Sequence, residues 1–210
     1  MVHHFPMRYL TKSRFKLAVE CPTKLFYTGK GHYRNLLSED SFMQALAEGG
    51  FQVGKMATMR YPRGFEVTER RNAQALARTQ ELLSSHNDIV LFEPAIAYQD
   101  LLVRVDILVK QGNALQLIEV KAKSYNSDEP EILGARGGIT SGMLPYIQDV
   151  AFQKFVVSQA MPQASIQCFL MMPDKAVTAT VNGLNQCFKI VRGEDNSTKV
   201  DTLPQAQALV

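Results

Sequence analysis

Between Ile89 and Lys123 the chain swings repeatedly from apolar runs to short polar breaks. IVLFEPAIAY (89–98), LLVRVDILVK (101–110) and ALQLIEVKAK (114–123) are rich in β-branched and apolar residues, and Gln99-Asp100 and Gly112-Asn113 mark the breaks. That pattern predicts three consecutive strands joined by tight turns. Upstream, apolar residues recur at helical spacing instead. LTKSRFKLAVECPTKLFYTGKG predicts a helix starting near Thr11 and interrupted at Pro22, with a basic side of Lys12, Arg14, Lys16 and Lys24. A second helix is expected over about 41–60 and a third over 72–86, after the polar EVTERR loop. Gly49-Gly50 costs the second helix about 1 kcal/mol per glycine, so a close approach to its backbone is expected there. Downstream, SYNSDEPEILGARGGITSGM is a long Gly-, Ser- and Asp-rich loop. Pro145 suits the first position of a helix, PYIQDVAFQKFVVSQ, and SIQCFLMMP and QCFKIVR read as further strands. Helices, a strand meander, then helix and strand predict an α/β fold with a mixed central sheet flanked by helices. One domain is expected over 1–210, with a helical part at about 8–88 and a core at about 89–192.

The meander places charges where apolar residues dominate. A two-residue turn at Gly112-Asn113 sets Gln111 opposite Ala114, so Asp106 faces Glu119 and Arg104 faces Lys121. Directly opposed residues have Cβ atoms about 4.5–5.5 Å apart, and two bare carboxylates at that distance repel. Two readings follow. A divalent cation between the acids turns the repulsion into a binding site. Alternatively, the acids lie at a solvated edge and pair with Arg104 and Lys121 in a cross-strand network. Ile107, Leu108, Ile118 and Val120 flank the acids closely enough to suggest that both faces are covered. A covered face favours the cation, because burying a charge without compensation costs several kcal/mol.

Composition changes the picture little. A net charge of +3, with a sequence pI near 8.7, permits a local nucleic-acid patch without announcing one. Cys21, Cys168 and Cys187 are odd in number and far apart, which argues against a zinc cluster. The N-terminus lacks the apolar stretch of a signal peptide, and a cytoplasmic setting without a membrane partner is expected. The four histidines, His3, His4, His32 and His86, are scattered and read as surface residues. The polar EDNSTK followed by TLPQAQALV reads as a frayed tail or as the cut end of a longer protein.

Asp106, a turn, then Glu119-Val120-Lys121 resembles the PD-(D/E)XK nuclease superfamily. SRFKLAVECPTKLFY is similar to the opening of its RecB-like and CRISPR-associated exonucleases, and DVAFQKFVV to their glutamine helix. The LIEVK segment with the PYIQDVAFQ helix also resembles the N-terminal part of a poorly characterised bacterial family, over about residues 10 to 172. The resemblance implies a restriction-endonuclease-like core and metal-dependent hydrolysis of DNA. Asp106 and Glu119 would ligate Mg²⁺ or Mn²⁺, with the Val120 carbonyl as a further oxygen. Lys121 would offset charge at the phosphate, and Gln153 would orient the site. Where the family has an early-helix acid or histidine, QVGKMA carries Gly54; Glu48 and Glu93 are the candidates to replace it. Val157 stands where a tyrosine is common. Related nucleases with an early Cys-Pro hold an iron–sulfur cluster through four thiolates, and three cysteines imply no cluster here. The same departures support a rival: a catalytically silent module that binds nucleic acid or docks a protein partner, or that works beside a further C-terminal domain.

Overall fold

The computed structural model describes residues 9–33, 41–130, 132–193 and 198–209. In chain order its elements are β1 (Leu10–Thr11), α1 (Lys12–Glu20), α2 (Pro22–Tyr27), α3 (Ser41–Met59), β2 (Phe65–Glu66) and α4 (Asn72–Ser85). The meander follows as β3 (Asp88–Phe92), β4 (Ala95–Tyr98), β5 (Leu101–Arg104), β6 (Ile107–Gln111) and β7 (Ala114–Val120). Then come α5 (Leu144–Ala160), β8 (Ser165–Met171), β9 (Phe188–Arg192) and β10 (Thr198–Thr202). Two compact units interleave along the chain. The first takes Met1–Lys30, Phe65–Glu119 and Leu144–Phe169, and the second takes Gly31–Gly64, Val120–Met143 and Leu170–Val210.

The sheets are mixed, and the fold is α/β. A five-stranded sheet has the order β2-β3-β6-β7-β8, and a three-stranded one the order β1-β5-β4. The pairs β1–β5 and β2–β3 are parallel, whereas β3–β6, β4–β5 and β6–β7 are antiparallel. The turn at Gly112-Asn113 has the expected register: Gln111 pairs with Ala114 and Ile107 with Ile118. Gly112 supplies the positive φ, +56°, that this turn requires.

Two of the expected long strands are each broken. Phe92 pairs with Ile107 in the first ladder and Ala95 with Arg104 in the second, so one register runs through both sheets. Between them lies a corner at Glu93-Pro94 and Val105-Asp106. Glu93 N–H donates to the Asp106 carbonyl at 3.2 Å, and Val105 N–H donates to the Pro94 carbonyl at 3.1 Å. Pro94 has no N–H to offer a ladder, and Glu93 adopts a φ of +54°, which turns the strand sharply. Arg104 therefore pairs with Ala95 rather than facing Lys121. Its guanidinium instead donates to the carbonyls of Glu69 and Val67, both at 3.0 Å.

Helices cover the first unit's core. The apolar spacing of α5 buries Asp149, Phe152, Gln153, Val156 and Val157 as one stripe, so two polar side chains enter the interior with three apolar ones. Phe152 joins Val103, Val105, Leu108, Leu117 and Leu91 in the core. Phe15 of α1 stacks on Phe152, with ring centroids 4.4 Å apart, and locks α1 to α5. Thr11 caps α1 by accepting from Arg14 N–H.

In the second unit, Met56 and Met59 of α3 pack with Cys187, Phe188 and Ala206. Gln52 donates to the Phe188 carbonyl at 2.8 Å. The β9–β10 hairpin was not evident in the sequence, because TKVDT offers only one strong apolar residue. The close approach expected at Gly49-Gly50 is absent: among the described residues nothing stands within 4 Å of where a Cβ would be.

Candidate functional site

The site is built at the corner. The ladder ends at the Ile107–Ile118 pair, and extending its register by one step sets Asp106 opposite Glu119. One step beyond the Phe92–Ile107 pair, Glu93 comes opposite Asp106. Extending both ladders by one step puts Glu93, Asp106 and Glu119 in one row, with Glu119 on β7 and the other two in the corner between strands. Their surroundings differ greatly. Glu119 is buried at 2% exposure, whereas the side chains of Asp106 and Glu93 are 24% and 50% exposed.

A cation already bridges two members of that row. Lys12 Nζ donates to Glu119 Oε1 at 3.0 Å and Oε2 at 2.9 Å, and to Asp106 Oδ1 at 3.4 Å. From the other side, Gln153 Nε2 donates to Glu119 Oε2 at 2.7 Å and to the Asp149 carbonyl at 3.4 Å. The buried carboxylate is thus compensated by an ammonium from α1 and an amide from α5, the two helices that the Phe15–Phe152 stack holds together. Gln153, which an exposed helix face could equally have carried, is 1% exposed.

The Glu93 carboxyl is pushed up to about 7, first by burial and next by the charge of Asp106, while Arg104 and Lys12 pull it down. Half of that side chain still meets water, which screens each of these effects. Arg104 Nε lies 3.8 Å from Glu93 Oε2. Glu48 belongs to the second unit, where it pairs with Arg192 at 2.9 Å. Val120 closes β7, and Lys121 follows it, its N–H donating to the Met171 carbonyl at 2.9 Å.

No family model, curated protein or solved structure matches the chain.

Among the described residues no group of three or more His, Cys, Asp and Glu side chains is gathered to hold a metal ion. The narrower donor set at the corner fits a hard divalent cation in two respects. A positive charge sits between two carboxylates, the oxygen donors that Mg²⁺ and Mn²⁺ prefer. Beside them, the buried Gln153 Oε1 has no hydrogen-bond partner among the described residues, which leaves an acceptor to be satisfied.

Other candidates are not brought to this point. The thiols of Cys21, Cys168 and Cys187 are free, and Cys187 lies in the second unit. The Cys21 thiol is lowered by the backbone amides of Lys24 and Thr23, and that of Cys168 is raised by burial. His32 and His86 are exposed, and His3 and His4 lie outside the described residues. No helix among the described residues is long and apolar enough to cross a membrane. Lys12 is the residue that sequence reasoning missed. The available signal was its position: a lysine in the first turn of a helix opposes the positive end of the helix dipole.

Proposed function

We propose that the chain is a metal-dependent nuclease domain of the PD-(D/E)XK type, with a restriction-endonuclease-like core, hydrolysing DNA phosphodiesters in the bacterial cytoplasm. One observation carries this reading: a cation bridges Asp106 and Glu119 while Gln153, from the helix after the strands, donates to the same Glu119 carboxylate. An acid pair built only for stability would be better replaced by apolar residues, since a buried ion pair seldom repays its desolvation.

Asp106 and Glu119, with the Val120 carbonyl, would hold Mg²⁺ or Mn²⁺. When bound, that cation supplies activation of the attacking water and offsets charge on the phosphate. Gln153 fixes the Glu119 carboxylate through one oxygen, so its orientation is set before substrate arrives. Glu93, in the same row, takes the place that an early-helix acid would fill. Lys121, two residues past Glu119, offsets the negative charge that grows on the phosphate. The water oxygen bonds to phosphorus, one P–O ester bond breaks, and the leaving oxygen takes up a proton.

A second reading is favoured by the same ammonium. Lys12 closes the acid pair into an internal ion network, to which Arg104 and Glu93 add, and such a network suits a silent nucleic-acid-binding or protein-docking module. End-labelled single- and double-stranded DNA, incubated with Mg²⁺, with Mn²⁺ and with chelator, separates the two. Metal-dependent cleavage that Asp106→Asn abolishes is expected. DNA binding without cleavage in either metal would favour the module.

A further inference from the structure

The position between Asp106 and Glu119 is filled by a group from the chain itself. We propose that Lys12 is a tethered counter-cation: its ammonium holds the place that a divalent ion takes, and metal loads the site only by displacing it. This rests on the metal-site reading above and adds the condition for loading.

Three observations carry it. Lys12 Nζ lies within hydrogen-bonding distance of three carboxylate oxygens of two acids, Glu119 on β7 and Asp106 at the corner, which is a bridging position rather than a one-to-one ion pair. The backbone that carries it is pinned. Leu10 and Thr11 pair with Leu101 and Leu102, Leu10 N–H donates to the Asp100 carbonyl at 2.7 Å, and Phe15 is stacked on Phe152. The side chain alone can therefore move, and lysine's four-carbon stem is flexible enough to swing its point charge away. Finally, Lys12 opens α1, whose first turn contains no acid, so the ammonium faces the positive end of the helix dipole. Nothing in the helix favours a cation there. The two carboxylates do.

An internal cation competes with an external one. The apparent metal affinity falls by the fraction of molecules in which the ammonium has left. Removing Lys12 should therefore tighten metal binding, which is the opposite of what losing a structural support would do.

Mn²⁺ alone, without nucleic acid, is titrated calorimetrically into the full chain and into Lys12→Met, Lys12→Arg, Asp106→Asn and Lys12→Met/Asp106→Asn. Thermal melting in chelator and in Mn²⁺ accompanies each titration. Lys12→Met should bind Mn²⁺ about 5- to 150-fold more tightly than the parent, the usual range of coupling between two sites. Lys12→Arg, which keeps the charge, should show no gain, and Asp106→Asn should abolish binding in either background. If Lys12→Met melts too low in chelator for titration, a larger Mn²⁺-induced rise in its Tm than in the parent's reports the same competition. Equal or weaker affinity in Lys12→Met, at a site still abolished by Asp106→Asn, overturns the counter-cation and leaves the metal site standing. Failure of both parent and Lys12→Met to bind Mn²⁺ through Asp106 overturns the metal-site reading itself.

Discussion

A buried glutamine between a charged neighbour and an unpartnered oxygen makes a sharp single-residue test. Gln153 donates to the buried Glu119 carboxylate at 2.7 Å, while its own Oε1 has no partner among the described residues. Gln153→Leu removes a hydrogen bond to a charged group, which contributes about 1.5–3 kcal/mol, and relieves an unsatisfied acceptor that costs about 1 kcal/mol or more. The expected net loss in chelator is about 0.5–2 kcal/mol, read as a lower urea midpoint at unchanged slope. A change within about 0.5 kcal/mol would mean that Gln153 behaves as a surface residue. Its helix was legible, but its burial was not, because the sequence allowed an exposed face equally; only the fold puts Asp149, Phe152, Val156 and Val157 on the same buried stripe. The place of Lys12 was not legible either. It bonds to acids 94 and 107 positions away, and a lysine in a basic helical stripe looks like solvated surface until the fold brings its partners to it.

Among the elements, the corner has the largest consequence for the site. The turn at Gly112-Asn113 was readable because its chemistry is local, and its register holds from Gln111–Ala114 to Ile107–Ile118. The corner was hidden inside runs such as IVLFEPAIAY, where apolar residues continue on both sides of Pro94. Only tertiary pairing decides that the ladder leaves one sheet for another, and so Arg104 was wrongly set against Lys121. Strand β10 was missed for a related reason: TKVDT is half exposed and carries a single strong apolar residue, although its partner β9 was expected from QCFKIVR. After the corner, the first N–H of β4 donates to a side chain: Ala95 to Thr79 Oγ1 of α4, at 2.9 Å and fully buried. Thr79→Val keeps the shape and removes the acceptor, stranding that N–H. The expected cost is about 1–3 kcal/mol by denaturant unfolding, although the substitution is nearly isosteric. Because Ala95 follows Glu93 by two residues, the variant should also weaken Mn²⁺ binding at the corner. Unchanged stability would show that this hydrogen bond does not hold the corner in place.

For the molecule as a whole, charge limits how nucleic acid can be held. Basic residues number 23 and acidic ones 20, so the net +3 cannot draw DNA by bulk attraction. On the nuclease reading, binding comes from a few local cations, and its salt dependence would count them: the logarithmic slope is about −0.9 per phosphate contact on duplex and about −0.7 on single strands. Lys121 is the cation whose role separates enzyme from module. If it steadies charge that grows in the transition state, Lys121→Ala should slow single-turnover cleavage about 100- to 1000-fold and leave the slope nearly unchanged. If it makes a ground-state phosphate contact, the same variant should weaken binding and reduce the slope by about one contact, with little further effect on rate. Both quantities should be measured on one preparation beside the parent. A parent that never cleaves with Mg²⁺ or Mn²⁺, yet loses a phosphate contact in Lys121→Ala, would make the chain a nucleic-acid-binding module with a nuclease-like acid pair. Cleavage that collapses while affinity holds would instead assign Lys121 to the chemistry.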